Sequence, residues 1–294
     1  MGKDIVTHRV CYAFLAPFAI IFGLFSIAPL VVSIFYSFTY YNILEPPKFI
    51  GLRNYINLFL ADDVFIIALK NTFIFAVITG PVGYIAAFMF AWFIHELPRY
   101  VRAVVTVIFY APSISGAVFV IWGIIFSGDA YGIVNGFLLN LGIIDSPILW
   151  FSNPAFMKPA LIIVMLWMSL GAGFLAFVAG FSTIDTTLYE AGVVDGITNR
   201  WQELWYITLP SMKGMLMFGA VLAIAGSFGV GDVITNLAGF PTADYAAHTV
   251  VHHLIDYGSI RFEMGYACAI ATLLFMIMIL SNALIQKMLR RVGT

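Results

Sequence analysis

The sequence has few charged residues. Asp, Glu, Lys and Arg make up 10% of its 294 residues, while hydrophobic residues make up 62%. A soluble domain is about 25% charged and about 45–50% apolar, so this composition excludes an ordinary soluble protein. The formal net charge of −1 at pH 7 argues against nucleic acid as a partner, because nucleic acid binds faces rich in Lys and Arg. The chain is therefore predicted to lie in a lipid bilayer.

Two further features are scarce or missing. The chain has only two cysteines, and both lie in apolar stretches, where a cysteine usually acts as a small hydrophobic side chain. The sequence contains no Gly-x-x-x-x-Gly-Lys-Ser/Thr run, the loop that cradles nucleotide phosphates. Neither redox chemistry nor nucleotide binding is expected of this chain.

Long stretches without charge are abundant. A helix needs about 20 apolar residues to cross the hydrocarbon core of a bilayer. Six stretches meet this requirement, the fifth with one carboxylate inside it. We predict an all-α polytopic membrane protein of about six membrane-spanning helices, forming one domain over residues 1–294. The predicted spans are 11–38, 70–94, 103–127, 159–182, 214–238 and 264–287.

The loops between these spans differ in positive charge. Cytoplasmic loops retain more Lys and Arg than outer loops do. One set of alternate loops, with both termini, holds nine of the 14 Lys and Arg residues, and the other set holds five. The nine are Lys3, Arg9, Arg99, Arg102, Arg200, Lys213, Lys287, Arg290 and Arg291, and the five are Lys48, Arg53, Lys70, Lys158 and Arg261. We therefore predict that both termini and the loops near 95–102 and 182–213 face the cytoplasm.

The inner segment between the fourth and fifth spans is too long to be a simple turn. It runs for about thirty residues, whereas helix connections usually take about two to eight. A helix is predicted over about 186–195, with Gly196 ending it in a left-handed conformation. Asn199 and Gln202 resemble a capping box that opens a second helix, which Pro210 would stop or kink. Two short helices with apolar faces and no membrane length are suited to a cleft on a partner protein.

The same segment resembles a known motif. Its residues are Glu190, Ala191, Gly192, Asp195, Gly196, Ile207, Leu209 and Pro210. They resemble the Glu-Ala-Ala loop in permease subunits of binding-protein-dependent ATP-binding-cassette importers. That resemblance implies a coupling helix that docks into a groove on a cytoplasmic ATPase. Gly192 departs from the pattern by replacing the second Ala, which predicts a less rigid helix or a close approach of the partner, because Gly in a helix costs about 0.5–1 kcal/mol relative to Ala.

Three further stretches, 49–55, 132–135 and 265–267, resemble the carbohydrate branch of this family, the maltose and glycerol-phosphate type. The resemblance implies import of sugars or oligosaccharides by alternating access across a bacterial-type cytoplasmic membrane. It implies a second permease subunit in a heterodimer, two ATPase subunits that bind ATP and Mg, and an extracytoplasmic solute-binding protein. This chain is then a transport subunit without a cofactor or metal, and not an enzyme.

One carboxylate, that of Asp232, lies inside a predicted span. A charge at the centre of a membrane helix costs about 2.5–3.5 kcal/mol, so such residues usually face a water-filled cavity or a partner. Sugar hydroxyls are good donors to a carboxylate, which makes Asp232, with Asn236, the candidate for the substrate pathway. An equally open alternative is an Asp near the outer mouth that is hydrogen-bonded between subunits.

Three other classes of function compete with this interpretation. Residues 229–232 match the Gly-x-Gly-Asp motif of intramembrane aspartyl proteases, but that chemistry needs a second carboxylate and no other predicted span contains one. His248 and His252 have the spacing of zinc ligands on a helix, but Thr249 stands where a metalloprotease has its Glu. An ion-coupled secondary transporter or a channel often shows repeated halves or ionisable relays, which are not evident in this sequence.

Overall fold

The computed structural model describes residues 9–289, which form two compact units. One unit holds the residues up to Asp63 together with His253–Leu274, and the other holds Val64–His252 and the residues from Phe275. Both units are helical, and the only sheet among the described residues is one two-stranded ribbon. The prediction of an all-α polytopic protein is confirmed.

The first unit begins with a long apolar helix that exposes its side chains along its whole length. A two-stranded antiparallel ribbon and a short helix follow, and a π-helical turn lies in the later part of the unit. The elements are Arg9–Phe22, the π-helical turn Gly23–Ile27, Ala28–Tyr36, the strands Thr39–Tyr40 and Lys48–Phe49, Arg53–Leu60, and the π-helical turn Asp256–Ile260. None of the described residues of the initial helix is buried, although its end contacts the rest of the unit, where the rings of Tyr36 and Tyr41 lie 4.9 Å apart.

The stretch 49–55 builds the turn after this helix. Asn54 donates from Nδ2 to the carbonyl oxygens of Ser37 and Thr39, at 2.8 and 3.0 Å, and the hydroxyl of Tyr55 donates to Ser37 Oγ at 2.7 Å. Gly51 adopts φ +63°, in the left-handed region that glycine tolerates best. These residues therefore have a structural role in this chain.

The second unit contains most of the helices. In chain order they are Asp63–His95, Arg99–Ile114, Val118–Ile125, Ile133–Asn140, Pro154–Met168, Ala172–Ser182, Thr186–Val194, Arg200–Glu203, the π-helical turn Leu204–Thr208, Leu209–Ser211, Lys213–Phe228, Asp232–Ala238, the 3-10 turn Ala243–Tyr245 and Val250–Ile255. A last helix, Met264–Leu289, runs from the first unit into the second.

The third predicted span, 103–127, is not one helix. It forms Arg99–Ile114 and Val118–Ile125, because the chain becomes extended at Ser115, with φ −99° and ψ 118°. The first piece has 16 residues and so reaches about 24 Å, less than the roughly 30 Å of the hydrocarbon core. Five helical segments in the described part of the chain are long and apolar enough to cross a membrane, so the sixth crossing stays a prediction. The five are Val10–Tyr36, Asp63–His95, Pro154–Ser182, Lys213–Ala238 and Met264–Leu289.

Aromatic side chains fill the core of the second unit. Phe174, Phe177 and Phe181 are almost fully buried on one helix, and Phe88 packs against the last two with ring centroids 5.5 and 5.4 Å apart. The same cluster includes Leu204, which lies in the segment after the fourth predicted span. That segment is therefore anchored to the helical core.

Candidate functional site

The segment 186–210 forms a helical hairpin. The helix Thr186–Val194 begins where Asp185 accepts a hydrogen bond from the backbone of Thr187 at 3.0 Å, an interaction that also lowers the pKa of Asp185. It ends at Gly196, which has φ +93°. The amides of Gly196 and Ile197 donate back to the carbonyls of Val193 and Gly192, at 3.2 and 2.9 Å, the hydrogen-bond pattern of a Schellman C-cap. The predicted first helix and its glycine stop are confirmed.

The second half of the hairpin starts at Asn199, whose side chain accepts from the backbone of Gln202 at 2.9 Å. The side chain of Gln202 accepts from Thr198 rather than from Asn199, so the predicted capping box is shifted by one residue. The helix Arg200–Glu203 continues as a π-helical turn up to Thr208. Pro210 lies in Leu209–Ser211, a short helix that continues directly from this turn and ends before Met212.

The two halves of the hairpin are closed on each other. Tyr189 and the buried Thr208 share a hydrogen bond between their hydroxyls at 3.0 Å. Gly192 is buried, and a Cβ there would lie 2.6 Å from Ile207 Cδ1 and 3.0 Å from Ile197 Cδ1. The hairpin's own isoleucines therefore occupy the space that a side chain at position 192 would need, and the close approach of a partner at this glycine stays a prediction.

The outer surface of the hairpin carries most of the remaining motif residues. Glu190, Ala191, Asp195 and Gly196 are exposed, whereas Ile207 is buried and Leu209 and Pro210 are half-buried. Several large apolar side chains of the hairpin are also exposed, namely Leu188, Val193, Val194, Trp201, Trp205 and Tyr206. Leu204 is buried in the core, unlike the exposed Trp201 and Trp205. The hairpin thus presents the carboxylates of Glu190 and Asp195, together with apolar side chains, on its exposed surface.

The pathway candidates Asp232 and Asn236 lie together. Asp232 opens the helix Asp232–Ala238 after a turn of glycines, and Asn236 donates from Nδ2 to its carbonyl oxygen at 2.8 Å. Both are exposed in the isolated chain. They line a cavity of about 390 Å³, together with Ser113, Ser115 and Gly116 from the break in the third predicted span. Polar groups of two separate segments therefore converge on one space.

Sequence reasoning missed the contribution of Ser113, Ser115 and Gly116. The only signal was a short run of helix-weak residues within an apolar stretch. A second cavity, of about 310 Å³, is mostly apolar and includes Thr79, Gly83 and Tyr84 of the helix Asp63–His95 in its lining. The two cavities adjoin, because both are lined by the residues Met168, Gly226, Val230 and Val233.

His252 and His253 form hydrogen bonds within the protein. His252 is fully buried, with Nδ1 at 2.8 Å from Thr249 Oγ1 and Nε2 at 3.1 Å from Thr235 Oγ1. Burial lowers its pKa to about 4. His253 contacts Asp62 through Nε2 at 2.9 Å. No group of three or more metal-ligating side chains occurs in residues 9–289.

Comparisons with known proteins give a consistent result. Residues 80–293 match the family described as "Binding-protein-dependent transport system inner membrane component". The "Probable ABC transporter permease protein YesP" of Bacillus subtilis is 33% identical over 94% of this chain and 89% of its own length. The "Lactose transport system permease protein LacF" of Rhizobium radiobacter is 29% identical over 76% of this chain and 74% of its own length.

A solved structure is similar over the whole chain. It is a chain of a bacterial alginate ABC transporter in complex with an alginate pentasaccharide-bound periplasmic protein. The TM-score is 0.78 and the identity 25%, and the alignment covers 100% of this chain and 98% of that one.

Proposed function

The chain belongs to the family of binding-protein-dependent transport system inner membrane components, and from this premise we propose that its hairpin, residues 186–210, receives the movement of a cytoplasmic ATPase. The chain is a multi-pass permease subunit of an ABC importer and not an enzyme. We refer to residues 186–210 as the coupling hairpin.

The observation that carries this proposal is that the coupling hairpin is held together by its own contacts and exposes carboxylates and large apolar side chains. An element that transmits movement must keep its conformation when its partner moves. In the coupling hairpin, Asp185 caps the first helix, Gly196 ends it, and a hydrogen bond between Tyr189 and Thr208 joins the two halves. Its exposed side includes the Glu190 carboxylate and large apolar side chains such as Val194, which favour a cleft on another protein over water. Glu190, Ala191, Asp195 and Gly196 are proposed as contact residues.

We assign the buried part of the motif a supporting role. Gly192 and Ile207 hold the two halves together, and Leu209 packs against the hydrophobic core. A force applied to the exposed side is then passed to the helices that follow Pro210. Exposed motif residues are thus assigned to contact with the ATPase and buried ones to support of the hairpin. Both assignments depend on the proposed docking.

A carbohydrate is proposed as the cargo. One relative is named for lactose transport, and the similar solved structure holds an alginate pentasaccharide on its periplasmic protein. The cavity of about 390 Å³ is lined by a carboxylate, an amide and two hydroxyls, those of Asp232, Asn236, Ser113 and Ser115. Together these groups can accept and donate the hydrogen bonds that sugar hydroxyls require. Asp232 and Asn236 are accordingly proposed as pathway residues.

The proposed assembly contains this chain, a second permease subunit in a heterodimer, two ATPase subunits that bind ATP and Mg, and an extracytoplasmic solute-binding protein. One coupling hairpin per permease serves one ATPase, so a pair of ATPases calls for a second permease. We propose that both termini face the cytoplasm of a bacterial-type cell, on the charge bias of the loops. Of the charges behind this proposal, Lys3, Arg290 and Arg291 lie outside the described residues.

The test is purification of the chain from its native membrane under mild detergent, followed by reconstitution into sealed vesicles. We expect an ATPase and a second permease to copurify, and uptake of sugar from a panel that includes lactose and alginate oligosaccharides to depend on enclosed ATP and on the solute-binding protein. Uptake by this polypeptide alone in ATP-free vesicles would instead identify an ion-coupled carrier or a channel.

A further inference from the structure

We propose that Glu96 and Arg200 are positioning residues that fasten the coupling hairpin to the inner end of the helix Asp63–His95. The inference rests on the proposed function of the hairpin and names the route by which its movement reaches a helix of the substrate pathway. Together with Trp92 and Trp201, these residues are called the inner clasp.

The inner clasp joins two elements that are far apart in the sequence. Arg200 Nη2 lies 3.4 Å from Glu96 Oε1, and Glu96 directly follows the last residue of the helix Asp63–His95. Beside this ion pair, the ring centroids of Trp92 and Trp201 lie 5.2 Å apart at an interplanar angle of 61°. Trp92 is part of the buried core, while Trp201 is largely exposed. A polar and an aromatic contact therefore link the hairpin to the helix, in addition to Leu204, which shares the buried core with Trp92.

A cavity of about 240 Å³ lies beside the inner clasp, and its lining includes Trp92, Glu96, Arg200 and Glu203. Continuous close packing would transmit a displacement through many contacts at once. Where a cavity interrupts the packing, fewer contacts remain, so each contact beside the cavity transmits a larger part of the displacement. Three clasp residues, Trp92, Glu96 and Arg200, line this cavity and so control how closely the helix end follows the hairpin.

The helix on the other side of the clasp reaches the substrate pathway. It is 33 residues long and carries Thr79, Gly83 and Tyr84, which line the cavity of about 310 Å³. The hydroxyl of Tyr84 also donates to the carbonyl oxygen of Leu216, at 3.1 Å, on the helix that follows the hairpin. A helix fastened at its inner end passes a displacement on to Gly83 and Tyr84, which lie between that end and Pro81.

The chain offers a matched control for the ion pair. Arg200 has a second carboxylate partner, Glu203 Oε2 at 2.7 Å, and this ion pair lies within the hairpin. Both Glu96→Gln and Glu203→Gln remove one carboxylate from Arg200 at nearly constant shape. Only the first breaks the clasp. Glu96 and Arg200 have side chains 44% and 61% exposed, so the expected effect of the loss is moderate, about 1.4- to 5-fold.

The experiment is amide hydrogen exchange on the assembled importer, without nucleotide and after trapping with Mg-ATP and orthovanadate. In the wild type and in Glu203→Gln, trapping should change exchange both in the hairpin and in residues 95–102. In Glu96→Gln, the hairpin should respond as before, while the change in 95–102 should shrink by about 1.4- to 5-fold. Equal stability of the three complexes in a thermal melt confirms assembly.

Each other result is decisive. If Glu96→Gln leaves the response of 95–102 unchanged, or if Glu203→Gln reduces it as much, the clasp has no positioning role, although the hairpin still docks. If the wild-type hairpin itself shows no response to trapping, the proposed function of the hairpin fails, and the clasp with it.

Discussion

Replacing Gly196 with alanine should loosen the coupling hairpin without creating a clash. Gly196 has φ +93°, a conformation that side chains disfavour, and a Cβ built at this position meets no atom within 4 Å. The cost is therefore confined to the backbone, about 1–2 kcal/mol for a residue other than glycine in the left-handed region. That free energy corresponds to a change of about 5- to 30-fold in the ratio of open to closed hairpin.

The amide of Ile197 reports on this opening directly. It donates to the carbonyl oxygen of Gly192 at 2.9 Å, a hydrogen bond that exists only while Gly196 keeps its conformation. Hydrogen exchange of this amide in the purified permease should therefore speed up by about 5- to 30-fold in Gly196→Ala. Bulkier Gly196→Val should open the hairpin at least as much and uncouple ATP hydrolysis from transport.

Gly214 provides the matched control. A Cβ there also meets no atom within 4 Å, but Gly214 lies within the helix Lys213–Phe228, where alanine is favoured over glycine by about 0.5–1 kcal/mol. Gly214→Ala should leave the exchange of Ile197 unchanged. Equal exchange of Ile197 in wild type and Gly196→Ala would refute the reasoning, because the left-handed turn would then not hold the hairpin closed.

Three other single contacts can be tested by substitution. Gly192→Ala should destabilise the hairpin, measured as faster amide exchange, and the added change Ile207→Val should restore it by removing the methyl group 2.6 Å from the new Cβ. Because burial lowers the pKa of His252 from 6.5 to about 4, the unfolded chain binds the proton more readily. The neutral, buried His252 therefore contributes about 3 kcal/mol to the unfolding free energy above pH 6.5, and this contribution is lost as the pH falls towards 4. In thermal melts, the melting temperature should fall less between these pH values in His252→Gln than in the wild type. Asn135→Ala should lower the unfolding free energy by about 1–3 kcal/mol in denaturant titrations, because the buried Asn135 amide bonds Trp150 Nε1 and the backbone on both sides of its helix. Asn135→Asp, whose carboxylate can only accept hydrogen bonds, should not preserve the wild-type stability.

Local chemistry made the coupling hairpin predictable. The cap at Asn199 and the left-handed Gly196 each depend on residues within a few positions of one another, so the sequence specifies them without knowledge of the fold. The burial of Gly192 against Ile207 involves residues fifteen positions apart. No local signal distinguishes that contact from an approach by a partner.

The substrate pathway was harder to predict for the same reason. Asp232 stands out in the sequence as a charge in an apolar stretch, but Ser113 and Ser115 join it only because the third predicted span breaks at an extended residue. Hydropathy measures length and composition, and both are satisfied by two short helices as well as by one long helix. The convergence of separate segments on one cavity depends on packing that a linear pattern does not encode.

Docking of the coupling hairpin on an ATPase is tested most directly by photo-crosslinking. Val194 is 87% exposed on the hairpin, and Tyr131, on the predicted outer side, is 96% exposed and serves as the control. A photoreactive amino acid at position 194 of the assembled importer should form an adduct with an ATPase subunit, and at position 131 it should not. Absence of an ATPase adduct at position 194, in an importer that retains its ATPase subunits, would contradict the account.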